Sequence, residues 1–171
     1  MDPAPPVVED LALGAFRLVK QGLGLELDFT PETLPLLDHY LAERRAAEGG
    51  LKDAEGALLG PCAGAYFGEV VRRTLPEVLV WHLPEDPHDY PGWRLAGAHV
   101  PLSFNPIGAA LEALYGEALA EWGAHIELPV EQRARAERAL AEVAPVRDED
   151  YYRLTVRYEV LEEVVLLARR P

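Results

Sequence analysis

Cys62, Glu69 and a knot of histidines and aspartates at 82–89 are the residues whose types and spacing could do chemistry in this chain. Cys62 follows Pro61, and proline favours the first turn of a helix. Helix-end amides and the helix dipole would there stabilise a thiolate, with His82 or His99 as a base. The ordinary role of such a cysteine is a small buried side chain. Glu69 lies in the mostly apolar run Gly60 to Arg73. Buried in a helix it needs a donor, and Arg72 and Arg73 stand one turn on. Held in that way it is either a structural anchor or a general base with a raised pKa. His82, Asp86, His88 and Asp89 carry ligand types that suit zinc or iron, but their spacing matches no tight ligand motif. Ser103 is the sole serine and has no Gly-x-Ser-x-Gly elbow around it. The chain also lacks a phosphate-binding Gly-x-x-x-x-Gly-Lys-Ser/Thr loop and a His-Glu-x-x-His pair. No catalytic residue, metal ligand or cofactor is assigned.

Gly64 and Gly68 are four apart, so on a helix they share one face. Each costs about 1 kcal/mol relative to alanine. Bare backbone at that cost implies a close neighbour: either the protein's own core or something admitted to a groove. Trp81, Trp93, Tyr66 and Tyr90 could line such a groove, although aromatics on short strands usually fill a core.

The bulk properties narrow the choice. The chain has 171 residues, 49% hydrophobic and 26% charged, as expected of one folded domain spanning 1–171. No apolar run reaches the roughly 18 residues that a membrane span needs, and the start has no basic segment followed by an apolar one. A formal charge of −13 disfavours nucleic acid and anionic lipid, and it permits a basic protein partner. With one cysteine there is no internal disulfide, which fits the cytoplasm. Arginine greatly outnumbers lysine, a bias of base composition rather than chemistry.

The elements that must carry these residues follow from periodicity. A first helix is expected over 7–20, where Val8, Leu11, Ala12, Ala15, Phe16 and Val19 recur at helical spacing. The alternating stretch 23–29 reads as a short strand. Thr30-Pro31-Glu32-Thr33 starts a second helix that runs to about Ala47, and 48–57 is a loop. A third helix covers 61–74. Strands are expected at 78–83, 93–95 and 99–104, paired as a small antiparallel sheet. Asn105-Pro106 opens a fourth helix to about Leu119, and a fifth covers 130–143. The last segment alternates like a strand at 154–160. A longer heptad match from Tyr151 to Ala168 makes it a helix over 149–169, with Glu159, Glu162 and Glu163 on a solvated face. Its apolar stripe permits a homo-oligomer. The fold class is α+β, five or six helices around a small antiparallel sheet.

Three stretches, in order, carry a resemblance. They are Leu27-Asp28-Phe29-Thr30-Pro31-Glu32-Thr33-Leu34 with Leu37-Asp38, then Gly64-Ala65-Tyr66-Phe67-Gly68-Glu69-Val70-Val71-Arg72-Arg73 followed by Trp81, then Asn105-Pro106. Together they resemble a group of small bacterial proteins, a domain-of-unknown-function family with a GAYFGEV…W motif. The resemblance spans roughly 25–116 and brings no catalytic assignment. It implies that Tyr66, Gly68, Glu69, Trp81 and Asn105 form one shared constellation, and it implies a tighter hairpin than the proline-rich 84–101 of this chain. Gly64, Tyr66, Gly68, Glu69, Arg72, Trp81 and Asn105 are therefore the candidate binding residues. The functional expectation is a non-catalytic cytoplasmic binding domain of adaptor or immunity type. The alternative is a small hydrolase-like enzyme centred on Glu69, with Cys62 or His82.

Overall fold

A computed structural model describes residues 3–141 and 146–169. Among the described residues six α-helices and a three-stranded antiparallel sheet make an α+β fold, in the order α1 Pro6–Leu23, α2 Leu34–Ala46, α3 Asp53–Thr74, β1 Leu79–His82, β2 Arg94–Gly97, β3 Ser103–Phe104, α4 Pro106–Tyr115, α5 Val130–Ala141 and α6 Leu154–Arg169. Among the described residues, no helix is long and apolar enough to cross a membrane.

The central element is α3, which packs along α1 on one side and α4 on the other. It is buried almost without interruption from Leu59 to Arg72. That explains why its sequence is apolar or small all round rather than amphipathic. The sheet closes one side of this core. Strand order is β1-β2-β3, with Trp81 opposite Leu95 and Leu95 opposite Phe104. The inward set Leu79, Trp81, Leu95 and Phe104 is buried, while Val80 and His82 alternate outward. α2 and α6 cover the other side through Leu34, Leu37 and Leu41 and through Leu154, Leu161 and Val165.

Several boundaries differ from the sequence expectation, each for a local reason. The stretch 23–29 is not a strand. α1 continues to Leu23 and ends at Gly24, whose φ of 70° is the left-handed stop. Beyond it no strand pairs with the stretch among the described residues, and only Leu27 of it is buried. The expected loop 48–57 shrinks, because α3 starts at Asp53 with Asp53 and Glu55 in its first turn. Pro61 therefore lies inside a helix, not at its start. α4 ends at Tyr115 rather than near Leu119, since Gly116 takes a φ of 73°. The strand expected over 99–104 is reduced to Ser103–Phe104. Before it the chain turns, with Gly97 N donating to Leu102 O. The last segment is helical from Leu154, after a turn at 148–150, rather than from 149. The expected end of the fifth helix at 143 lies outside the described residues.

Candidate functional site

Glu69 sits at the centre of the constellation and is 0% exposed. Its carboxylate accepts four hydrogen bonds. Arg72 donates through Nε to Oε1 (2.7 Å) and through Nη2 to Oε2 (2.9 Å). Arg73 Nε donates to Oε2 (2.9 Å), and Trp81 Nε1 donates to Oε1 (2.8 Å). Helical spacing delivers the two arginines, and β1 delivers the indole. Burial alone pushes the Glu69 carboxyl upward, but the bonds from Arg72, Trp81 and Arg73 outweigh it and hold the group below the usual carboxylate range. The acid is therefore ionised, enclosed and saturated. The raised pKa considered for a general base is the wrong direction.

The glycine face is closed by the protein itself. A Cβ at Gly64 would overlap Ile107, lying 2.8 Å from both its N and its Cγ1. A Cβ at Gly68 would run into the Trp81 ring and approach Pro106 Cβ at 3.2 Å. The bare backbone of α3 thus admits the start of α4 and the indole of β1, not an external ligand.

Asn105 fixes that start. Its Oδ1 accepts from Ile107 N (2.9 Å) and Gly108 N (3.3 Å), the N-cap arrangement. Its Nδ2 donates to Tyr90 O (2.9 Å) and Pro91 O (3.3 Å). Tyr90 packs on Trp93, with ring centroids 5.6 Å apart, and Trp93 packs edge-on against Trp81 at 5.8 Å. The proline-rich connection is thereby tied to the same cluster, and Trp93 Nε1 donates to Pro87 O (3.1 Å).

Tyr66 joins from the opposite side of α3. Its hydroxyl accepts from Phe29 N (2.9 Å) and pairs with Thr33 Oγ1 (2.9 Å). Phe29 takes a φ of 62°, rare for a bulky residue. Its ring lies against Tyr66 at 4.8 Å and beneath the Arg73 guanidinium at 4.0 Å. Asp28 anchors the turn by accepting from Thr30 N (2.9 Å), Thr30 Oγ1 (2.6 Å) and Thr33 Oγ1 (3.0 Å). Hydrogen bonds from Thr30 lower its pKa. Contacts run from Tyr66 to Phe29, Phe29 to Arg73, Arg73 to Glu69, Glu69 to Trp81, and from Trp81 through Trp93 and Tyr90 to Asn105.

The other chemical candidates stand apart. Cys62 is midway along α3, so it has no helix-end amides. Its Sγ is buried against Gly14, and burial pushes the thiol pKa up. That corrects the reading of Cys62 as an activated thiolate, and no histidine is hydrogen-bonded to it among the described residues. His82 points outward from β1. His99 is tied to Glu77, which accepts from His99 N (2.8 Å) and faces its Nδ1 (3.2 Å). In the 82–89 segment Asp86 accepts from His88 N (2.9 Å), an ordinary turn. Among the described residues no three or more His, Cys, Asp or Glu side chains gather as a metal site would require.

Sequence reasoning missed three further buried acids, Asp38, Glu77 and Glu112, all of which engage α6. Asp38 of α2 accepts from Leu154 N (2.7 Å), Thr155 N (3.0 Å) and Thr155 Oγ1 (2.7 Å), so it caps α6 from another helix. Burial raises its pKa against the opposing Thr155 and Leu154 bonds. Glu112 pairs with Arg157 and accepts from Leu119 N (2.8 Å), and Glu77 faces Arg169 at 3.7 Å. An open cleft of about 460 Å³ lies between α2 and the start of α6. Within its lining Arg147 and Arg153 pair with Asp150, and Asp38 is bonded to Thr155. The one available signal was Asp38 in the Leu37-Asp38 pair, a lone acid on the apolar stripe of α2.

Comparison of the chain with protein-family models, with curated proteins and with solved structures finds no match.

Proposed function

We propose that this chain is a non-catalytic cytoplasmic binding domain for a basic protein, of adaptor or immunity type. The observation that carries the reading is the condition of Glu69. An enzyme centred there needs an acid that titrates and meets substrate. This one is fully enclosed, ionised and saturated by Arg72, Arg73 and Trp81. The remaining motif residues, Gly64, Gly68, Tyr66 and Asn105, are engaged inside the fold, so the chemistry that drew attention to them is the chemistry of assembly. Left for the outside is an acidic surface on a chain of charge −13. Such a field accelerates and selects encounters with a basic partner, and salt screens it.

The test is affinity capture with the folded protein from a lysate of the organism that encodes it, at low salt. A retained basic protein is then purified and its binding measured against salt. Reconstituted binding that weakens steeply with salt supports the reading. Repeated capture without a specific protein, or binding indifferent to salt, contradicts it.

A further inference from the structure

We draw no further inference here: the strongest candidate, the outer face at β1, where Val80 and, just before the strand, Val78 stand 43% and 56% exposed beside a strand edge that meets no further strand among the described residues, has nothing in the structure that shows what covers it.

Discussion

Glu69 keeps its charge where water does not reach because two guanidinium groups and an indole N–H replace the solvent. Breaking a buried pair by removing one partner typically costs about 3–5 kcal/mol, since the other charge is left stranded. The pH dependence has a definite sign. The folded pKa is below the ordinary glutamate value near 4.3, so ionised Glu69 stabilises the fold above that value. The contribution is lost as pH falls through the lower folded pKa. The stability gap between the parent and Glu69→Gln, followed by urea unfolding, is therefore expected to narrow as pH falls below the ordinary glutamate value. A gap that widens on acidification contradicts the assignment. Gly64 supplies a second residue-scale test. Alanine is the better helix former by about 1 kcal/mol, yet here its methyl would meet Ile107 backbone. Gly64→Ala is expected to destabilise by about 1–3 kcal/mol, the usual range for overpacking. A neutral or stabilising result means that the α3–α4 contact is looser than described. Cys62 is expected to resist iodoacetamide in the folded protein at pH 7 and to react readily once unfolded, which mass spectrometry reads directly.

Among the elements, α6 depends on the rest of the fold for its start. Asp38 donates no local propensity to α6; it is 116 residues away in sequence from Leu154 and caps the helix only once α2 has docked. Losing a cap costs about 0.5–2 kcal/mol, so Asp38→Ala is expected to lower unfolding stability by at least that much, with α6 amides losing protection from hydrogen exchange first. Unchanged α6 protection would show that the cap is dispensable. Its titration opposes that of Glu69. Because burial raises the Asp38 pKa, ionising it works against the fold as pH rises. Asp38→Asn removes that opposition, and its stability is expected to fall more steeply than the parent's on acidification. The long helices and the antiparallel sheet were legible because burial imposes a period that the sequence must keep, as in Val8, Ala12, Ala15 and Val19 of α1. Boundaries were less legible where a residue has two uses. Pro61 reads as a helix start, but Gly60 and Gly64 beside it leave room for α4 against the same helix, and α3 runs through. Leu25 and Leu27 alternate like a strand, but a strand needs a partner that local sequence cannot reveal.

The whole molecule combines a core joined through α3 with a formal net charge of −13. Self-repulsion at −13 opposes compaction and is relieved by salt. The thermal midpoint is accordingly expected to rise by a few degrees from low to physiological ionic strength. A fall would mean that attractive surface pairs dominate. Tyr66, Gly68, Glu69, Trp81 and Asn105, all marked by residue type or spacing in the sequence, are joined by contacts inside the fold. Whether the set faced inward or outward was not legible, because the same glycine face and acid suit a groove or a helix contact. Only the positions of Ile107 and the Trp81 ring decide it.

The account stands on Glu69 being an internal joint and not a reacting group. The most direct test is chemical unfolding of Glu69→Gln at neutral pH beside the parent protein. An enclosed anion held by two arginines and an indole predicts a loss of roughly 3–5 kcal/mol when its charge is removed. Equal or greater stability in the variant, as often follows when a functional acid kept at the expense of the fold is replaced, would contradict it.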